Sequence, residues 1–437
     1  MYLSKNINRY VFSIFFLCLI QNAQAQDQES IKAIAKKIKN SNQLLGEEFA
    51  QIKFIPAKTF MLQEYEGHDS LSFYPPEIVS TESFYISPYE VTNKQYRQFI
   101  DNVQDSILYK MFGFIKVGAD GNEYVDYSKR ITPKKFVEYL KMMDPYINFL
   151  TEINGVIHAD SKKLIYTYRS GKKWIQVPVM PDTTHWQQLY PSEYNDPIQV
   201  SHLYHPAFDN YPVSGVNFQQ AQAYCLWKTQ QIKNAMYGDN EVDIICTLPS
   251  LYQWEAAAVS GNLPASSSAL HSKQTAADNQ NRKYHNKPIK SNGTNAIEFN
   301  CNFFSIKDAN GYVVKNAGDD GGIYEMDVHS FKPNVYGLYN MSGNVAEWTL
   351  TNGNECYRKI DKLFLDSLKT TDRSALIFQM HVDSFLHRME QTKIVKGGGW
   401  ASTAFYVQPG VHQFYIPATQ HGAVGFRYVV MINRKAK

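Results

Sequence analysis

Between Gly337 and Trp348 the chain reads Gly-Leu-Tyr-Asn-Met-Ser-Gly-Asn-Val-Ala-Glu-Trp, and this stretch restricts the fold more than any other. Two glycines, two asparagines and a carboxylate are interleaved with apolar and aromatic residues. Their order matches neither a helical stripe nor a strand alternation. Glycines recur where a regular element would lose stability, so the stretch predicts a folded loop. Turns at Gly337 and Gly343 can bring carbonyls and the oxygens of Asn340, Asn344 and Glu347 towards one point, which is the ligand chemistry of a hard cation such as calcium. The same residues also suit a tight core turn, with Tyr339 and Trp348 buried and Glu347 bonded to backbone amides.

The elements around this loop read as short. Phe54-Ile55-Pro56 and Thr59 to Leu62 suggest a hairpin, and Ser83 to Val91 a strand entering a helix. Thr92 followed by Gln95 forms a capping box for a helix over Asn93 to Ile100, with Tyr96, Phe99 and Ile100 inward. Asn217 with Gln220, and Ser250 with Gln253, open two more, which carry Phe218, Ala221, Tyr224, Cys225 and Trp227, and Trp254, Ala257 and Ala258. Short capped helices among aromatic-rich strands and long loops predict an α+β domain over residues 54–430. Residues 26–53 read as a helical lead-in, peripheral or a tether. Long inserts fall near 101–210 and 352–392, the second with a helical stretch around Leu376 to Met389, and 261–295 reads as a solvated loop. The first insert suits a contact surface, although Tyr166, Tyr168, Trp174, Trp186 and Tyr190 could equally fill a local core.

Apolar residues at 44% and aromatics at 14% are enough for a filled core. A formal charge of +3 without a dense basic stripe argues against a nucleic-acid partner. Lys5 and Arg9 precede the apolar run Tyr10 to Ile20, and Ala23-Gln24-Ala25 supplies a cleavage pattern, so residues 1–25 read as a signal peptide. The expected product is exported and soluble, since no segment is long and apolar enough to span a bilayer. Any membrane association would be indirect, because Leu17 before Cys18 is too bulky for lipoprotein processing. Cys225, Cys246, Cys301 and Cys356 remain, as buried thiols or as a bridge.

Several motifs in order carry a resemblance. These are Pro212-Val213 through Phe218 and Ala221 to Trp227, Leu248-Pro249-Ser250 to Trp254-Glu255, the opening stretch, Val395 to Trp400, and Gly425-Phe426-Arg427. Together they resemble the formylglycine-generating enzyme, or sulfatase-modifying factor, family. The resemblance implies one asymmetric domain with little regular secondary structure, distantly like C-type lectins. It also implies two structural calcium ions. One would be held by the Asn340 and Glu347 side chains with the Gly343 and Val345 carbonyls, the other by Asn302, the Phe303 carbonyl, Asp320 and the Gly322 carbonyl. Oxidising members bind copper through two cysteines after the motif's tryptophan, and the matching positions here are Ser402 and Val407, neither of which offers a thiolate.

No His-x-x-x-His-x-Glu, His-Glu-x-x-His or Gly-x-Ser-x-Gly is present, and His202, His205, His381 and His387 read as surface or core histidines. The expectation is therefore no catalysis, no copper and no iron.

Arg169 to Trp174, Val179 to Trp186, His205 to Val213 and Gly318 to Tyr324 further resemble the gliding-motility lipoprotein K family of the type IX secretion apparatus. Its members form a non-catalytic periplasmic ring under the outer membrane. That resemblance implies a protein-binding scaffold in the periplasm or at the inner face of the outer membrane, with ring proteins or further copies of itself as partners. The alternatives are a secreted oxidoreductase with an unrecognised metal site and a lectin-like ligand-binding module.

Overall fold

Three helices begin where a side-chain oxygen caps the first turn. Thr92, Asn217 and Ser250 each accept from the backbone amide three residues on, and Gln95, Gln220 and Gln253 return a side-chain bond to the cap. The computed structural model describes residues 31–62, 77–117, 123–132, 161–185, 202–236, 242–259, 301–304, 321–356 and 387–434, with short stretches near 150–159, 289–298 and 306–315. The expected signal peptide, most of the polar loop 261–295, most of the helical stretch around Leu376 to Met389, Asp320 and the aromatics Trp186 and Tyr190 lie outside the described residues.

The helices are α1 (31–41), α2 (Gln43–Phe49), α3 (Asn93–Met111), α4 (Phe218–Ala235) and α5 (Leu251–Ala258). Strands β1 (Lys53–Ile55), β2 (Lys58–Leu62), β3 (Glu77–Thr81) and β4 (Phe84–Ile86) precede α3. Hairpins β5 (Ile115–Val117) with β6 (Glu123–Val125), β7 (Leu150–Ile153) with β8 (Val156–Ala159), and β9 (Ile165–Ser170) with β10 (Lys173–Pro178) follow it. After α4 comes β11 (Val242–Thr247), and β12 (Ala346–Asn352), β13 (Lys393–Lys396), β14 (His412–Tyr415), β15 (Val424–Gly425) and β16 (Val429–Arg434) complete the fold.

One sheet has the order β1-β4-β16-β11, entirely antiparallel, so the last strand lies between early ones. The other has the order β14-β13-β12-β15, with β12 and β15 parallel. The second insert leaves at Asn352 and returns at Lys393, residues that face each other in the ladder, so the sheet is preserved across it.

Three expectations change. β1 and β2 do not form a hairpin with each other. Pro56, lacking an amide hydrogen, ends the ladder of β1, and β2 pairs with β3 instead. Helix α3 runs past Ile100 to Met111 because Val103, Ile107, Leu108 and Met111 continue its apolar stripe, so the insert begins later than 101. The lead-in is neither peripheral nor a tether. Ile31, Ile34, Ala35 and Ile38 of α1, and Leu45 and Phe49 of α2, share one core cluster with Tyr96, Phe99 and Trp227. Glu48 of α2 reaches the buried Lys228 of α4.

Candidate functional site

Two asparagines join the glycines in turning the Gly337–Val345 loop. φ is 76° at Gly337, 53° at Asn340, 78° at Gly343 and 65° at Asn344. At Gly343 nothing larger fits, because a Cβ would lie 2.1 Å from the Asn302 carbonyl oxygen. These turns deliver the chain into β12 with every residue from Asn340 to Thr349 buried.

Glu347 lies fully buried in β12, one residue from its start, against Arg427. Its Oε1 accepts from Arg427 Nη2 at 2.6 Å and Nε at 2.8 Å, and its Oε2 accepts from Arg427 Nε and Trp254 Nε1, both at 2.7 Å. Arg427 Nη2 also donates to the Tyr339 carbonyl at 2.8 Å. Burial opposes the guanidinium's charge, but attraction and hydrogen bonding to Glu347 hold its pKa above the ordinary arginine value. Glu347, expected as a calcium ligand, is here bound by Arg427 and Trp254. Guanidinium and indole occupy both carboxylate oxygens, and a divalent cation there would be repelled by Arg427.

Glu90, just before α3, is the second carboxylate of the cluster. Its Oε2 accepts from Asn340 Nδ2 at 3.0 Å and its Oε1 from Asn344 Nδ2 at 3.2 Å. Burial, opposed by Arg427 and reinforced by Glu347, pushes its pKa up to about 8. Near neutrality Glu90 is therefore mostly protonated beside the Glu347–Arg427 pair. Asn344 is fully engaged: Oδ1 accepts from Met326 N at 2.8 Å, its amide donates to Asn302 O at 3.0 Å, and its carbonyl accepts from Trp400 N at 2.7 Å.

Asn340 Nδ2 also reaches Val328 O at 3.1 Å, while its Oδ1 is buried without a hydrogen-bond partner. Within the first expected calcium set, Asn340 is thus the side chain that keeps an oxygen for a cation, with Gly343 and Val345 able to add carbonyls. In the second set, the Asn302 amide donates to the Tyr324 carbonyl, which Gly322 also approaches, and Phe303 is buried beside Cys301 and Val407. The two loops stand side by side through Asn302 and Gly343.

Ser402 and Val407, the positions of the copper thiolates in oxidising relatives, serve packing here. Ser402 Oγ accepts from Gly399 N at 3.0 Å and its carbonyl accepts from Phe304 N at 2.8 Å, while Val407 is fully buried. Cys225 and Cys246 are free, buried thiols, and Cys301 is buried as well. Among the described residues no three His, Cys, Asp or Glu side chains gather as a metal-binding group.

His202 sits 3.1 Å from Glu325 Oε1, which also accepts from Ser214 Oγ at 3.0 Å. Burial pushes Glu325 well above the carboxylate range and lowers His202 to about 3, so the pair is neutral. A nucleophilic triad needs histidine between serine and acid, whereas both face the acid here. His205 is exposed and caps a short turn through Ala207 N at 3.2 Å. Neither Glu90 nor Arg427 figured among the expected site residues. The available signal was that a fully buried arginine in Gly425-Phe426-Arg427 requires a carboxylate partner.

The fold and site define an irregular α+β domain knotted around a buried carboxylate–guanidinium pair. The chain belongs to the sulfatase-modifying factor enzyme 1-like family, whose domain matches residues 46–432. Among solved structures it is similar to PvdO from Pseudomonas aeruginosa at 13% identity, covering 87% of this chain and 93% of that one with a TM-score of 0.41. Treponema denticola variable protein 1 is similar at 15% identity, covering 86% and 94% with a TM-score of 0.37. CarF is similar at 12% identity, covering 88% and 98% with a TM-score of 0.35. No curated protein matches. The family assignment rests on the domain match, and these structural scores carry no functional weight.

Proposed function

We propose that this protein is a non-catalytic scaffold of its family, exported to the periplasm, where it binds protein partners much as the gliding-motility lipoprotein K proteins do in the type IX secretion apparatus. The observation that carries this reading is the state of the two positions where oxidising relatives need thiolates. Ser402 closes a turn on Gly399, and Val407 packs against Cys301 and Phe303. The charges nearest the loop are turned inward and satisfied by one another, which favours cohesion over chemistry. Any structural calcium would rest on Asn340 Oδ1 and neighbouring carbonyls, without Glu347. Among the described residues no helix is long and apolar enough to cross a membrane.

The test is purification of the tagged protein from its native envelope, with metal analysis of the product. A large assembly with other envelope proteins and no stoichiometric redox metal is expected. A lone monomer carrying copper or iron that cycles between oxidation states would overturn the scaffold.

A further inference from the structure

The hairpin β9–β10 differs in charge from the rest of the chain. From Ser161 to Pro181 there are five basic residues and no acidic one, so this segment carries more positive charge than the net +3 of the whole protein. Its base is fixed to the core. Leu164, Val177 and Val179 are buried, and Tyr166 packs on Phe99 with ring centroids 5.4 Å apart. Tyr96 Oη donates to Val179 O at 2.8 Å, and Gln220 Nε2 donates to Pro178 O at 2.9 Å and Met180 O at 2.6 Å.

The far end is open. Gly171, at φ +59°, turns the chain between Ser170 and Lys173, and a Cβ added there would meet nothing within 4 Å. Arg169, Lys172, Lys173 and Trp174 are exposed, Trp174 to 65%. Strand alternation places Trp174 directly opposite Arg169 on the outward face, and Arg169 Nε donates to Gly171 O at 3.1 Å, holding its stem along the turn. The tip therefore presents an indole beside the Arg169 guanidinium, with the exposed Lys172 and Lys173 at the turn.

We propose that this tip is a peripheral membrane contact. Trp174 seats at the headgroup level of a bilayer, and Arg169, Lys172 and Lys173 pair with the phosphates of anionic phospholipids. An indole combines an apolar body with a donor N–H and prefers that zone, and a basic cluster is drawn to an anionic surface. A protein partner fits less well, because a stable interface covers about 800 Å² on each side, more than one ring on a two-residue turn presents. This contact is independent of any protein assembly and goes beyond the scaffold reading.

Co-sedimentation of the full mature chain with large unilamellar vesicles tests it. Binding is expected to vesicles of phosphatidylethanolamine and phosphatidylglycerol, to weaken as salt rises, and to be absent on phosphatidylcholine alone. Lys172→Glu with Lys173→Glu should reduce the affinity about tenfold or more, and Trp174→Ser should also reduce it, both with wild-type thermal midpoints because the side chains are exposed. Equal binding to both vesicle types, binding unaffected by these substitutions, or no vesicle binding would each overturn the proposal. Capture of an acidic protein through the tip in place of vesicles would do the same.

Discussion

Glu90 sets the charge of the buried network, and its effect on stability has a definite sign. Its folded pKa is raised from 4.5 to about 8, chiefly by burial, so the folded protein holds a proton that the unfolded chain releases. The contribution is complete below about pH 4.5 and is lost as pH rises through about 8. In urea unfolding, wild type should therefore lose stability relative to Glu90→Gln across that window, by a few kcal/mol at most, on the order of 1.4 per unit of pKa shift. Parallel curves for the two proteins would mean that Glu90 is ionised throughout. The Glu347–Arg427 pair makes a separate prediction. Glu347→Gln leaves a buried guanidinium without its counter-charge and should cost about 3–5 kcal/mol. Because both carboxylate oxygens are already occupied, the response of the thermal midpoint to calcium or a chelator should match wild type. A calcium response abolished by this substitution would restore Glu347 as a ligand.

At the scale of elements, each of the capped helices shows what a local signal can do. Ser250→Ala removes an oxygen that satisfies the Gln253 amide, and should lower stability by about 1 kcal/mol in denaturant unfolding, with Ser250→Gly recovering part of the loss. Such caps were legible because donor, acceptor and return bond all lie within four residues. The turning of the Gly337–Val345 loop was legible for the same reason, although its asparagines adopt the left-handed conformation as well as its glycines. The stripe of Ile31, Ile34, Ala35 and Ile38 was equally local, and its helical spacing marks a buried face that a reading as a charged tether overlooked. The partner of Glu347 was not legible. Spacing shows which oxygens a residue offers, but Arg427 stands 80 positions away and claims them only once two sheets are assembled. The pairing of β2 with β3 rather than β1 is likewise settled by tertiary contacts, since each strand alone fits either partner.

For the whole molecule, sequence-distant segments are locked together at both ends. Strand β16 runs between β4 and β11, Arg427 just before it binds Glu347, and α1 lies in the cluster built by α3 and α4. A chain connected in this way should unfold as one cooperative unit, with α1 included. Ile38 is the sharpest probe, because it is fully buried and takes no part in the charge network's hydrogen bonds. Ile38→Ala deletes buried methyl and methylene groups and leaves a cavity, at a cost of about 2–5 kcal/mol if α1 shares the global transition. A peripheral helix would fray separately, and the same substitution would leave the main transition where it was. The two outcomes separate in one experiment, with urea unfolding followed both by tryptophan fluorescence, which reports the core around Trp227, and by far-ultraviolet circular dichroism. Coincident curves, both moved to lower urea with an unchanged slope, are expected. An early dichroism phase with an unmoved fluorescence transition would return α1 to the role of a tether.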